Sequence, residues 1–517
     1  MGLTPEMNRT ATVDYGLNWL FLIVAFTTIF RLLIFSDFKP TGTDPLAHLL
    51  RARELVNAGR VPSVHSLYLP GTPWVYPPLF HAVLSCLLLL GAPPLESVFG
   101  LGLVSDVLIA VPIFFIGTRL NGIRSGALAV TLFAIDTSHI YPLTWGGYPN
   151  LMASLFMAMG ILALMDKAWK SVPVLAMTTL AIGLTHYLSL AVWIVILAVF
   201  ILLSYVQRAR SKILSVVLAL VVAGIALVSW YLPRLATYWS LLATGPDLAG
   251  LVSAGLVQLI GLYLVTFGLG GFLVVILPLT LFRLPWRRNP ELYAWALAPL
   301  LLSIPFMTYP NIVIRMLYFA TTPSLLAFSA VALSGVERFS GPNSLIGAID
   351  GFLGRIPIVT AARRIWYSRR SYVILLILLL FAFQSVYFGV RAHSFYRTYD
   401  PELVQLARWF AEHATPSKTI AAELVPGLFV AALSPRPVIF VANEAWFSLI
   451  EERELIRAAR LILSSSPTEP IFMDLVCRYS VGYLIYSKSL PVWYASGGNG
   501  TVYVLGSYFV VELNTRF

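Results

Sequence analysis

Charge is scarce in this sequence of 517 residues: Asp, Glu, Lys and Arg make up 11% of it, whereas hydrophobic residues make up 58%. A soluble domain needs about 25% charged residues to cover its surface. The composition therefore excludes an ordinary soluble enzyme and indicates a multi-pass membrane protein. Cysteine is also rare, and Cys86 and Cys477 are too few for a disulfide framework. The sequence has no internal repeat of the kind that marks inverted-repeat transporters.

The apolar runs predict about eleven membrane spans, because each span needs roughly 17 to 25 residues. The candidates are 17–35, 97–118, 124–138, 150–166, 171–188, 189–206, 213–231, 253–282, 291–308, 316–336 and 371–390. A further run, 79–90, is shorter and is followed by Gly91 and Pro93. Its length predicts a re-entrant or interfacial helix that does not cross the bilayer.

The distribution of basic residues between these spans predicts the orientation. Cytoplasmic loops carry an excess of Lys and Arg, and with a cytoplasmic N-terminus the inside loops hold nearly every basic cluster. These residues are Arg119, Arg124, Lys167, Lys170, Arg208, Arg210, Lys212, Arg283, Arg287, Arg288, Arg338, Arg355, Arg363, Arg364, Arg369 and Arg370. The long first loop (36–96), the loop 136–150 and the C-terminal tail then lie outside. The net charge of +11 is thus a signal of topology, and no nucleic-acid partner is expected.

Two domains follow from the change of composition near residue 395. Residues 1–394 are predicted to form an all-α polytopic membrane domain, and residues 395–517 an external α/β domain. In the tail, ARWFAEHATPS and SLIEERELIRAARLIL have helical periodicity. TIAAEL, PVIFVAN, VGYLIYS and the pair TVYVLG/SYFVVEL are short β-branched and aromatic segments typical of strands.

The most densely charged stretch of the first hundred residues is GTDPLAHLLRARELV, residues 42–56. Asp44 followed by Pro45 is typical of a helix start, with the aspartate as N-cap. At 100° per residue, Asp44, His48 and Arg51 share one face and leucines occupy the other. The pattern predicts a helix along the membrane surface. A helix cap requires only the aspartate. The presence of His48 and Arg51 on the same face therefore favours a functional role for this helix in addition to the structural one.

The order of several segments resembles the GT-C superfamily of membrane glycosyltransferases. These segments are the first-loop helix with Asp44, YPPL, RLNGIRSGALAVTLFAI, GGYPNLMA, RMLYFATTPSLLA and YDPELVQLARWFAEHATPS. The resemblance implies a sugar donor carried on a polyprenyl or dolichyl phosphate or pyrophosphate. It implies Asp44 as the catalytic base and Arg315 as the cation that contacts the phosphate, with Arg234 as a second choice. The alternative for Arg315 is a structural role, in which its side chain snorkels to keep the guanidinium at the membrane interface.

The sequence departs from the oligosaccharyltransferase subunits of that superfamily in two ways. It lacks their WWDYG motif, and Asn150 stands where an acidic residue is expected for a divalent metal. These departures argue against protein N-glycosylation and favour sugar transfer without a metal or other cofactor. The alternative metal set consists of Asp44, Asp37 and Asp136.

Other polar and aromatic residues in external segments are candidates for substrate binding. His139 and His186 are expected at helix ends facing the acceptor, and Tyr76 and Tyr148 are expected to stack on sugar rings. All of these residue types are also common at membrane interfaces for ordinary reasons. Asp106 lies inside a predicted span, where a carboxylate is either functional or paired with a neighbouring helix.

The predicted function is transfer of a sugar from the lipid-linked donor to a glycan, lipid or protein acceptor at the external face, with inversion at the anomeric carbon. Membrane lipids are the other expected partner. The alternative class is a transporter or flippase, which requires polar groups near the middle of the membrane. A scaffold that binds envelope partners through its tail is a third possibility.

Overall fold

The computed structural model of the protein describes residues 5–166, 168–237, 268–304, 310–333, 357–395, 399–442, 449–487, 490–491 and 500–513. It is mostly helical, with a small sheet near the C-terminus. Leucine-rich and alanine-rich runs form the helices, and Gly and Pro residues stand at many of the boundaries between them, where they disfavour helix continuation. Both parts of the predicted fold class, the helical domain and the C-terminal α/β domain, are confirmed at this level.

The first ten helices run through the first half of the chain. They are α1 (Pro5–Ile34), α2 (Asp44–Ala58), α3 (Leu79–Leu89), α4 (Pro94–Asn121), α5 (Ile123–Ala134), α6 (Thr137–Trp145), α7 (Tyr148–Leu164), α8 (Ala168–Thr185), α9 (Tyr187–Val206) and α10 (Arg210–Tyr231). A 3₁₀ turn, Leu232–Arg234, follows α10. The later helices of this domain are α11 (Leu277–Phe282), α12 (Pro290–Ser303), α13 (Pro310–Leu333) and α14 (Pro357–Phe395).

Within the described ranges, four helical stretches are long and apolar enough to cross a membrane: Pro94–Asn121, Tyr187–Val206, Arg210–Thr237 and Met316–Leu333. Shorter apolar helices occupy Phe21–Ile34, Leu79–Leu89, Tyr148–Leu164 and Leu424–Leu433. The helix over Leu79–Leu89 agrees with the short run predicted from sequence. Much of the predicted span 253–282 lies outside the described residues, and the count of about eleven stays a prediction.

Side-chain contacts join loops that the sequence assigns to the same side. Arg119 pairs with Asp166 at 2.9 Å and Lys212 pairs with Glu291 at 2.6 Å, which joins segments predicted to be cytoplasmic. Arg234 donates from Nε to the Trp74 carbonyl at 3.2 Å. The first loop and the loop after α10, both predicted to be external, therefore meet.

The C-terminal part contains five strands and four helices in the ranges that the structure describes. They are α15 (Pro401–His413), β1 (Thr419–Glu423), α16 (Leu424–Leu433), β2 (Val438–Val441), α17 (Ile450–Ser464), α18 (Pro470–Arg478), β3 (Val481–Ser487), β4 (Gly500–Leu505) and β5 (Tyr508–Leu513). The sheet order is β2-β1-β3-β5-β4, with β1 parallel to both neighbours and the last two pairs antiparallel. All five predicted strands and the helices α15 and α17 are confirmed. The sequence analysis missed α16 and α18.

The long first loop docks on the edge of this sheet. The Val438 N–H of β2 donates to the Leu67 carbonyl at 2.8 Å, and the Leu69 N–H donates to the Val438 carbonyl at 3.1 Å. Tyr68 and Val438 form a parallel bridge, so the loop extends the sheet beyond β2. Helix α16 packs against α2 beside this contact. The loop that carries Asp44 thus joins the helical bundle to the C-terminal sheet.

Candidate active site

The site begins at the first turn of α2. Thr43 occupies the N-cap position, Asp44 is the first helical residue and Pro45 is the second. The prediction that Asp44 is the N-cap is therefore wrong by one residue, and no side-chain capping bond is formed there. The Asp44 side chain is exposed at the positive end of the helix dipole, which stabilises an ionised carboxylate. The carboxylate is exposed at this position.

The predicted orientation of α2 is only partly right. Leu46, Leu49 and Leu50 are buried as expected, but His48 is also buried on the face predicted to be polar. The reason is tertiary: α3, α4 and the C-terminal helix α16 all pack on this helix. Most of the helix is therefore enclosed, while Asp44 in its first turn is exposed.

The two loops that carry the sequence candidates, 36–96 and 136–150, are packed backbone against backbone. The Thr41 hydroxyl donates to the Thr144 carbonyl at 2.6 Å. Gly42 and Gly146 both have positive φ, and a Cβ on Gly146 would lie 2.2 Å from Pro45 Cδ. Only glycine combines this conformation with so close an approach. The contact brings the GTDP segment to the start of the GGYPN segment.

Tyr148 and Asn150, at the start of α7, supply unsatisfied polar atoms next to this contact. The Tyr148 side chain is fully buried, and among the described residues its hydroxyl has no hydrogen-bond partner. The Asn150 Oδ1 atom is likewise buried without one. The charge of Asp44 acts on the Tyr148 hydroxyl. Buried polar atoms without partners are uncommon in native proteins and suggest a ligand or ordered water.

Arg51 lies one turn beyond His48 and is held by aromatic rings. Its guanidinium carbon is 4.4 Å from the centre of the Tyr68 ring and 5.2 Å from that of Tyr76. Its Nε atom is buried without a hydrogen-bond partner in the part of the chain that the structure describes. Cation–π contacts hold the guanidinium, and a side-chain hydrogen bond joins it to Tyr68, while Nε is left without a partner among the described residues. Arg51 is therefore suited to bind an anion.

The C-terminal α/β part contributes a carboxylate that was not predicted from the sequence. Burial raises the pKa of Glu452, in the first turn of α17, and the Arg51 guanidinium opposes that shift. Burial also raises the pKa of the Tyr68 hydroxyl, on which the charges of Arg51, Glu452 and Asp44 act as well. The site thus combines groups from α2, the first loop and α17. The sequence offered no signal for Glu452, because its neighbours in space are more than 380 positions away along the chain.

Glu54 holds the first loop in place. Its Oε1 atom accepts the backbone N–H groups of Ser66, Leu67 and Tyr68 at 2.5–3.1 Å, and its Oε2 atom lies 2.7 Å from His65 Nδ1. The Glu54 side chain is 1% exposed, so these bonds replace all of its hydration. Bonds to a carboxylate of this kind contribute more than neutral ones. The charge in the middle of α2 is structural: it fixes the segment that carries Tyr68.

A cluster of imidazole and aromatic rings lines the other side of Arg51. His48 Nδ1 lies 3.0 Å from His81 Nε2, and both rings contact Tyr76 at 5.2–5.5 Å between ring centres. His186, the N-cap of α9, lies 6.0 Å from Tyr76. The structure therefore brings together three sequence candidates, His48, Tyr76 and His186. His81 was missed, although a histidine in the otherwise apolar helix α3 is a signal that can be read from sequence.

His139 lies deeper and belongs to a different group. Its Nε2 atom is 3.1 Å from the Thr322 hydroxyl, and its Nδ1 atom is 3.6 Å from Asp106. Asp106 in turn forms a fully buried ion pair of 2.8 Å with Arg31 of α1. Of the two alternatives for Asp106, pairing with a neighbouring helix is the one observed. His139 of α6 therefore lies in the packed interface with α4 and α13.

The remaining cationic candidates lie apart from Asp44. Arg234 stacks 3.6 Å over the Trp230 ring and donates to the carbonyls of Trp230 and Trp74, and these contacts give it a structural role. Arg315 belongs to α13, but its side chain lies outside what the structure describes. Its predicted phosphate contact stays a prediction.

The three carboxylates of the alternative metal set have separate partners. Asp136 caps α6 through the Ser138 N–H and also accepts the Gly270 N–H at 3.0 Å. Asp37 lies 3.3 Å from His393 of α14. In the described parts of the chain, no three His, Cys, Asp or Glu side chains converge as metal ligands. This donor set does not fit a divalent metal at Asp44.

Comparison with solved structures identifies the architecture. An oligosaccharyltransferase from Archaeoglobus fulgidus matches 92% of this chain and 69% of its own, with a TM-score of 0.60 and 12% identity. ArnT from Cupriavidus metallidurans, solved with undecaprenyl phosphate, matches 96% of this chain and 98% of its own, with a TM-score of 0.58 and 15% identity. The mycobacterial arabinofuranosyltransferase AftD matches 92% of this chain and 37% of its own, with a TM-score of 0.52 and 13% identity. All three are GT-C glycosyltransferases.

The chain has a GT-C-like fold. The resemblance seen in the order of the sequence segments is thereby confirmed at the level of the fold, and the apolar helices support a membrane location. No protein-family model matches the sequence, and no curated protein matches it significantly. At 11–16% identity, likeness to solved structures shows the fold, and the chemistry has to be argued from the site itself.

Proposed function

We propose that the protein is a membrane glycosyltransferase that moves a sugar from a polyprenyl-type or dolichyl-type phosphate or pyrophosphate donor to an acceptor at the external face. The observation that carries the proposal is the exposed Asp44 carboxylate where both external loops meet, with the Arg51 guanidinium farther along the same helix. The general kind of reaction agrees with the solved structures of this fold. Glycan, lipid and protein acceptors all fall within the proposal.

Asp44 is the proposed base. As the acceptor oxygen attacks C1 of the sugar, its proton passes to the Asp44 carboxylate, and the bond between C1 and the phosphate oxygen breaks. The electron pair of that bond leaves with the lipid phosphate, and attack from the opposite face inverts the anomeric carbon. One positioned carboxylate suffices for the proton.

Arg51 is the proposed partner of the leaving phosphate. A guanidinium offers a fork of N–H donors that matches phosphate geometry, and the buried Nε of Arg51 has no protein partner in the described ranges. Arg315 is proposed as a second cation on the strength of the family resemblance. Tyr148 and Asn150 are proposed to hydrogen-bond the sugar or the acceptor through the polar atoms that the protein leaves unsatisfied. Tyr76 and His186 are proposed to contact the donor or the acceptor from the side of α9.

The proposed topology has about eleven spans, a cytoplasmic N-terminus and an external C-terminal domain. The donor lipid enters from the bilayer beside α2 and α3, where Leu89 and Leu90 are 70% and 83% exposed at the end of α3. We propose that transfer needs no metal, because Asp37 and Asp136 are engaged elsewhere.

The test compares wild type with Asp44→Asn in purified form, supplied with labelled polyprenyl-phosphate and pyrophosphate sugars and a cell-envelope extract. Loss of a general base lowers turnover by about 10²–10⁴-fold. Asp474→Asn is the matched control, because Asp474 is an exposed carboxylate paired only with its own helix neighbour Arg478. Equal product from wild type and Asp44→Asn would remove the base assignment. Substrate movement across vesicles without any product would favour the transporter alternative.

A further inference from the structure

His48 and His81 form a buried pair of imidazoles between α2 and α3. They are 4% and 0% exposed, and His48 Nδ1 lies 3.0 Å from His81 Nε2. The other nitrogen of His81, Nδ1, lies 3.3 Å from the Pro77 carbonyl. The other side of His48 makes a backbone hydrogen bond with Gly146 of the second external loop. The pair therefore links α2, α3 and the loop that packs against Asp44.

The number of N–H groups in this chain of contacts depends on protonation. Carbonyl oxygens only accept, so the contacts to Pro77 and Gly146 each require an N–H from an imidazole. The contact between the rings requires a third N–H. Two neutral imidazoles carry one N–H each, so they satisfy two of the three bonds. One additional proton satisfies all three, and the pair then carries a single positive charge.

The surroundings oppose that charge in the absence of a ligand. Burial holds the pKa of His48 well below its usual range, and the charges of His81, Arg51 and His186 lower it further. Burial likewise lowers the pKa of His81, with Arg51 and His65 acting in the same direction. Arg51 is the permanent cation in this set. An anion that neutralises Arg51 removes part of the repulsion and adds an attraction of its own.

We propose that the His48–His81 pair takes up one proton when an anionic phosphate binds beside Arg51, so that donor binding is coupled to protonation of the pair. The inference rests on the proposed function, because it places the donor phosphate at Arg51. The coupling is reciprocal: bound phosphate raises the proton affinity of the pair, and a bound proton raises the affinity for phosphate by the same factor. His81 is thereby a positioning residue, which acts through His48 and Arg51 and does not touch the substrate.

The first measurement uses wild-type protein in detergent and needs no variant. The probe is the methyl ester of undecaprenyl phosphate, a phosphodiester with no titration near neutral pH. Calorimetry in two buffers of different ionisation enthalpy gives the number of protons taken up on binding, and we expect a value approaching one. Linkage then requires Kd to fall as pH is lowered from 8 to 6, by up to about tenfold per pH unit. Binding with a Kd independent of pH would overturn the coupling while leaving the proposed function intact.

The second measurement assigns the proton. His81→Gln keeps a hydrogen-bonding side chain of similar size, and we expect proton uptake to fall by more than half while the ester still binds. His413→Gln is the matched control, since His413 is exposed on α15 and stacks on Trp409. Uptake that is unchanged in His81→Gln would assign the proton elsewhere and overturn the proposal. Failure of wild type to bind the ester at any pH would overturn both this inference and the proposed function.

Discussion

Asp106 provides a test of whether deep polar residues in this protein serve chemistry or packing. The Arg31–Asp106 pair is 0% exposed at both ends, with 2.8 Å between Nε and Oδ2. Arg31 also donates to the carbonyls of Ala134 and Phe133 at the end of α5. Removing one partner of such a pair leaves an uncompensated buried charge, which costs about 3–5 kcal/mol.

The structure assigns different magnitudes to the two single variants. Asp106→Leu leaves Arg31 with its two carbonyl acceptors, so we expect a cost near the lower bound, about 3 kcal/mol. Arg31→Met leaves the Asp106 carboxylate with His139 at 3.6 Å and orphans both carbonyls, so we expect about 5 kcal/mol. The double variant removes both charges and loses less than the sum of the singles, because apolar replacement of a buried pair is often close to neutral.

The assay is thermal unfolding in detergent, followed by sugar transfer at a temperature where every variant is folded. We expect the double variant to unfold at a higher temperature than Arg31→Met and to retain transfer activity. Additive losses would show that the two side chains are not coupled. A folded double variant without activity would give Asp106 a role in chemistry and revive the transporter class, which requires polar groups in the membrane interior.

Three further variants test the external loops. Gly146→Ala should lower turnover by an order of magnitude or more with donor binding largely retained. The new Cβ would lie 2.2 Å from Pro45 Cδ and push the two loops apart. Unchanged steady-state kinetics would contradict the close packing. Tyr148→Phe should leave the unfolding temperature unchanged or slightly higher, because the buried hydroxyl has no hydrogen-bond partner among the described residues. The same variant should raise KM. A large loss of stability would show that the hydroxyl forms a hydrogen bond within the protein. Glu54→Gln should destabilise the protein by about 2–3 kcal/mol, because three backbone N–H groups and His65 lose a charged acceptor. Thermal unfolding would measure this loss of stability.

Local patterns predicted much of the fold. The strands of the tail are β-branched and aromatic runs bounded by turns, and α17 has a regular apolar period, so each could be located from neighbouring residues alone. Helix α16, in contrast, is apolar on all sides because it is enclosed by the sheet and α2. Its sequence, LVPGLFVAAL, carries no periodicity, and the analysis passed over it.

The candidate site likewise contains residues that local sequence could predict and contacts that it could not. Asp44 and Arg51 could be singled out because they are charges on one short helix, and the order of the loops placed them at the same end as Tyr148. The contact of Gly42 and Gly146 with the opposite loop depends on tertiary packing, which one sequence does not encode in a readable pattern.

The backbone bonds between Val438 and the first loop set a limit on how this protein can be divided. The C-terminal part brings Glu452 to Arg51, and the first loop supplies Tyr68 to the sheet edge, so neither part of the chain completes the site by itself. A chimera that exchanges only the tail would present the first loop with an unmatched sheet edge. Residues 65–69 must be exchanged together with the tail, and recombination between related enzymes is expected to respect the same unit.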